Sequence, residues 1–258
     1  MLYPRIIPCL LVKNKGLVKT VKFREPKYVG DPINAVRIFN EKKVDELIVL
    51  DIDATEQDRE PDYRMIENLA IECRMPLCYG GGIKTFEQAS NIFSLGVEKI
   101  AVSSSAVNNP QLISQISAQV GSQSMVVVLD VKKSFSGYDI YISNGRKKVN
   151  RNLIEFVVEL QELGIGELVI NSIDIDGVMK GYDLYLVELL RKIVRVPLTI
   201  MGGAGSLTDI GALINRFGII GAAAGSLFVF KGKYKAVLIN YPTSREKELL
   251  IAENALFL

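Results

Sequence analysis

The chain has 258 residues, 48% of them hydrophobic and 23% charged, which excludes a disordered polymer and supplies apolar surface for a sizeable core. Its 31 basic and 29 acidic side chains leave a formal charge of +2, too balanced to argue for a nucleic-acid or membrane surface. Histidine is absent, so Ser-His-Asp and Cys-His triads and imidazole zinc sites are excluded, and acid–base work falls to carboxylates or lysine.

The opening run MLYPRIIPCLLVKNKG is too short to span a bilayer and carries no small-residue cleavage site, from which a cytoplasmic protein is expected. Short, β-branched runs then recur along the chain. Strands are predicted at Arg5–Val12, Glu46–Ile52, Pro76–Gly80, Lys99–Val102, Met125–Val131, Glu167–Ile170, Pro197–Met201 and Ile219–Ala224. Most are apolar throughout rather than alternating, as parallel strands covered on both faces require. Between them, helices are predicted at Pro61–Cys73, Thr85–Leu95, Pro110–Gln119, Leu153–Leu163, Leu184–Ile193 and Leu207–Phe217, several opened by Asp, Ser, Thr or Asn. Two connections are long: Lys13–Asp31, which is basic, and Lys132–Asn150, whose Ser136-Gly137 and Asn144-Gly145 pairs predict a hairpin. Eight strands alternating with helices predict one (β/α)8 TIM barrel over residues 1–258. Its half-barrels are about 1–121 and 122–245, with a C-terminal helix to 258.

The halves resemble each other. Glu46–Asp53 matches Glu167–Asp174 at an offset of 121; Arg74-Met75-Pro76-Leu77 matches Arg195-Val196-Pro197-Leu198, and Gly81-Gly82 matches Gly202-Gly203, at the same step. Ser104 matches Ser226 at 122. A two-fold internal repeat predicts two similar anion sites across one barrel mouth, suited to a phosphorylated small molecule. Glycines repeated at strand ends have no packing use evident in the sequence, which favours the functional interpretation.

Phosphate candidates follow from this. Gly81 and Gly82 lie between a strand and a helix, where backbone N–H groups can approach an anion; Gly202, Gly203, Gly225 and Ser226 do the same in the second half. Ser103 and Ser104 end the fourth strand and either complete the first site or cap the next helix. Asp176 and Gly177 follow the sixth strand, where the Gly177 N–H could meet the second phosphate. No cofactor or metal is expected: Asp51, Asp53, Asp174 and Asp176 are interpreted as loop anchors. Cys9, Cys73 and Cys78, with no CxxC pair, are interpreted as buried free thiols.

The segments RIIPCL, LDIDA, GGGI, VEKIAVSSSAV, SQSMVVVLDVK, SIDIDG, GYD and GGAG together resemble the cyclase subunit of imidazole glycerol phosphate synthase, across nearly the whole chain. The resemblance implies a barrel that takes ammonia from a glutaminase docked at its N-terminal face. It also implies an acid–base pair of aspartates on the first and fifth strands. The fifth-strand residue is Asp130, but the first-strand position is Leu11, which neither donates nor accepts a proton. Ser103, Asn171 and Met201 also depart from the family's asparagine, threonine and serine, whereas Lys19 matches a lysine that helps hold substrate. The ring of charge that forms the family's ammonia entrance is present as Arg5, Glu46, Lys99 and Glu167.

The ring kept and the acid–base pair broken favour a paralogue that passes ammonia to another acceptor. This resembles the branch that works with an ATP-dependent amidotransferase making acetamidino groups on surface sugars. The alternative is the histidine-pathway cyclase itself, with Asp130 as the main acid–base. A third reading, a phosphosugar isomerase of a related barrel family, leaves the floor charges unexplained. No nucleic-acid or membrane partner is expected.

Overall fold

The computed structural model describes residues 3–255, so the last three residues of the expected C-terminal helix lie outside the described residues. Eight parallel strands form a closed barrel: Arg5–Lys13, Leu47–Asp51, Leu77–Gly80, Lys99–Val102, Met125–Ser134, Glu167–Ser172, Leu198–Met201 and Gly221–Ala224. Closure comes from the last strand pairing with the first, Arg5 opposite Gly221 and Pro8 opposite Ala224. The halves also join where Ile100 to Val102 run beside Met125 to Val127.

Side chains alternate along each strand. One set packs against the helices; the other fills the barrel with Ile7, Ile48, Cys78, Val126 and Val169, all buried. The helices include Pro32–Glu41, Tyr63–Glu72, Phe86–Ser94, Leu153–Glu162, Leu184–Arg191 and Leu207–Phe217. Their N-caps carry the repeat. Asp31, Asp62 and Thr85 open the helices of one half, and Asn152, Asp183 and Ser206 those of the other, at the offset of 121 throughout. Asp62 and Asp183 share φ −77° and ψ 84°, and Thr85 and Ser206 both form capping boxes.

The basic connection after the first strand is not a loop. It folds as an antiparallel hairpin, Gly16–Val21 against Arg24–Gly30, continuing from the barrel strand. The sequence hid this because its turns are made by Asn14-Lys15 and Lys22-Phe23, all at positive φ without the usual glycine. The second connection is the predicted hairpin, with Met125–Ser134 extended against Gly137–Ile142 and then Lys147–Asn152. Asp53 accepts from the Asn14 N–H and Asp174 from the Lys133 N–H, both at 2.8–2.9 Å, so each half tethers its hairpin by an equivalent carboxylate. Asp51 accepts from the N–H groups of Asp53 and Ala54, a loop anchor as expected. No helix among the described residues is long and apolar enough to cross a membrane.

Candidate functional site

At the N-terminal end of the barrel, Arg5, Glu46, Lys99 and Glu167 converge from four strands. Arg5 donates to Glu46 and, at 2.7 Å, to Glu167; Lys99 donates to Glu46 at 2.8 Å and to Glu167 at 2.9 Å. Each carboxylate therefore meets both cations, and the four charges form a closed ring. Burial alone would raise the Glu167 carboxyl, but the Arg5 guanidinium and Lys99 ammonium hold it below the ordinary carboxylate range. Thr199, fully buried, donates to Glu167 at 2.6 Å. Sequence reasoning missed Thr199, although it lies two residues before Met201 and so on the same inward face of its strand.

At the opposite end a cavity of about 760 Å³ opens between the two hairpins. Its wall brings together Leu11, Lys19, Gly81, Gly82, Ser103 and Ser104. Asp130, Asp176, Gly225 and Ser226 join them. Gly177, Gly202 and Gly203 do not line it, so the second expected anion site shows fewer of its members than the first.

The repeated glycines do have a packing use, contrary to the sequence reading. A Cβ on Gly81, at φ +123°, would stand 2.4 Å from the Asp51 carbonyl oxygen; one on Gly202 would stand 2.8 Å from that of Ser172. The strand ends cross closely in both halves, which gives the repeated glycines a packing role as well. Among the serines, Ser105 donates to the Ile83 carbonyl and Ser104 accepts from the Ser143 N–H at 3.3 Å, while Ser103 precedes a helix without capping it.

Asp130 sits half-buried in the cavity wall and accepts from Asn171 Nδ2 at 3.1 Å. Desolvation raises its carboxyl to about 7, the Asn171 bond offsetting part of the rise. Asn171 was read only as a departure from the family; its register directly beside Asp130 is what gives it a role. Opposite, Leu11 pairs with Leu50 and packs on the apolar barrel filling with it. Lys19, a loop residue by sequence, is 7% exposed and donates to the Cys9 carbonyl at 2.6 Å. A Cβ on Gly225 would fall 1.9 Å from its Nζ, so the lysine occupies space that only glycine leaves. Of the cysteines, Cys9 and Cys78 are buried, but Cys73 is only half-buried, since it lies at the end of a surface helix.

A family model described as "Histidine biosynthesis protein" matches residues 5–235. A Vibrio vulnificus protein named "Putative imidazole glycerol phosphate synthase subunit hisF3" is 60% identical over 96% of both chains. A Pseudomonas aeruginosa protein named as the corresponding hisF2 subunit is 54% identical over 94% of this chain and 97% of its own. The "Imidazole glycerol phosphate synthase subunit HisF" of Exiguobacterium sibiricum is 41% identical over 88% of this chain and 91% of its own. None of these names mentions sugar modification. This chain belongs to the histidine biosynthesis protein family, among the barrels of the HisF kind.

Proposed function

We propose that this chain is the barrel subunit of a glutamine-dependent complex of the imidazole glycerol phosphate synthase type. A glutaminase docked at the N-terminal face releases ammonia, which enters through the charged ring and reacts at the mouth with a phosphorylated ligand. The ring is the observation that carries this. Desolvating four charges costs several kcal/mol per ion before pairing repays it, and apolar side chains would close the floor as well or better. Hydrogen-bonding groups kept at that place suit a small polar visitor that exchanges bonds with them. In the mouth, Gly81, Gly82, Ser103 and Ser104 would hold one phosphate and Gly225 and Ser226 a second, with Lys19 and Asp176 against the ligand and Asp130 as acid–base.

The names of the relatives favour the cyclase over the acetamidino-sugar complex as the place where the ammonia is used. One observation keeps the second reading: Leu11 fills the position of the second carboxylate. Loss of one general acid or base typically costs about 10²–10⁴-fold, so a cyclase of this sequence is a slow one. Either reading calls for a cytoplasmic protein.

The test is the purified barrel supplied with an ammonium salt and the ribulosyl imidazole-carboxamide nucleotide. Turnover that rises about 10²-fold or more in Leu11→Asp supports the cyclase. No turnover in either form overturns it and leaves ammonia delivery to another acceptor.

A further inference from the structure

We propose that Lys19 is a nucleophile that forms an imine with the carbonyl group of a sugar phosphate bound in the mouth. The inference rests on the mouth being a phosphate site, and deepens that reading by naming a carbonyl compound as the ligand class.

The argument begins with what surrounds the amine. Lys19 is 7% exposed, yet no carboxylate lies within 4 Å of its Nζ among the described residues; its bond is to a main-chain carbonyl. A buried ammonium without an ion-pair partner is costly, whereas a neutral amine can donate to Cys9 O and keep its lone pair. Burial accordingly lowers the Lys19 pKa, with Asp176 opposing the shift. The amine also faces a cavity of about 760 Å³, ample for a pentose phosphate whose phosphate rests on Gly81, Gly82 and Ser104 across the mouth. Desolvated lysines facing such cavities are the ones that act as nucleophiles.

The step balances without an oxidant or reductant. The Nζ lone pair attacks the carbonyl carbon, a C–N bond forms, and the oxygen takes a proton to give a carbinolamine. Loss of the hydroxyl as water then leaves the imine. Asp176 lines the same cavity and would exchange these protons through solvent there, its carboxyl raised above the ordinary range by desolvation. Ammonia arriving from the barrel would add to the same carbon and release Lys19, exchanging one nitrogen for another.

The full-length chain is incubated with ribulose 5-phosphate and sodium cyanoborohydride, and the adduct is located by peptide mass mapping. In parallel, binding of the sugar phosphate without reductant is measured by calorimetry. We expect one adduct per chain, on Lys19, suppressed by excess inorganic phosphate and absent from Lys19→Arg. Adducts spread over exposed lysines overturn the proposal. Binding without trapping at Lys19 overturns it too, but leaves the phosphate-binding mouth standing. No binding at all overturns both, and since the unmodified chain supplies the decisive result, misfolding of a variant does not obscure it.

Discussion

The two ends of the barrel handle buried charge in opposite ways. At the floor, Arg5, Glu46, Lys99 and Glu167 neutralise one another, and each carboxylate has two cationic partners. At the mouth, Asp130 holds one amide and Lys19 one carbonyl, and neither has an opposite charge within salt-bridge distance among the described residues. Pairing in the closed ring raises the Arg5 and Lys99 cations and lowers the Glu167 carboxyl from their ordinary ranges, which favours their charged forms. At the mouth, burial shifts the Asp130 carboxyl up and the Lys19 amine down, each toward its neutral form, as acid–base and nucleophilic groups require.

Removing one member of the ring gives the largest expected change. Arg5→Met leaves Glu46 and Glu167 sharing one cation, at a cost of about 3–5 kcal/mol in denaturant unfolding. A loss below about 1 kcal/mol would mean that water already screens the floor, and the contrast between the ends would weaken.

The mouth shows its difference through pH. The Asp130 carboxyl lies at about 7 in the folded chain, against about 3.9 when unfolded. Between those values the folded form holds the extra proton, so this group's contribution is most favourable below about pH 4 and declines as pH rises through 7. Asp130→Asn removes the decline. With Asp130 partly open to solvent, we expect the variant to gain about 2 kcal/mol on wild type at pH 8 and nothing at pH 4, read from thermal unfolding at the two values. Equal effects at both pH values would remove the distinction from the floor.

Smaller still is Gly225→Ala. The added methyl meets chiefly the far end of the Lys19 side chain, which can swing away, and stands 3.1 Å from the Cys9 carbonyl oxygen, so stability should fall by about 1 kcal/mol while sugar-phosphate trapping at Lys19 is lost. Trapping at the wild-type level would show that the amine acts from another position. The exposed pair Arg216–Glu188 sets the baseline: Arg216→Ala should change stability by less than about 0.5 kcal/mol in the same unfolding assay.

Much of this was legible in the residues. Unbroken apolar runs gave the eight strands because a strand covered on both faces has no polar side to alternate with. The equivalence of Glu46 and Glu167 pointed to a shared floor, since repeat-related residues occupy equivalent places in the two half-barrels. The hairpin at Gly16–Gly30 was not legible, because turns at positive φ built from Asn, Lys and Phe carry no glycine signal. The repeated glycines were misread for a related reason: the carbonyl that approaches Gly81 belongs to Asp51, thirty positions away in the chain, and sequence carries no record of such a crossing.

The sequence by itself determined the element order, the two-fold repeat, the absence of imidazole chemistry and the loss of a carboxylate at Leu11. The first three are matters of composition and local periodicity; the last is what the family resemblance implies. Only the tertiary structure decided that Lys19 is buried rather than solvated, that Thr199 supports the ring and that Asn171 holds Asp130. Burial and pairing depend on which side chains from distant strands come to face one another, and that is set by closure of the barrel rather than by any one stretch of chain.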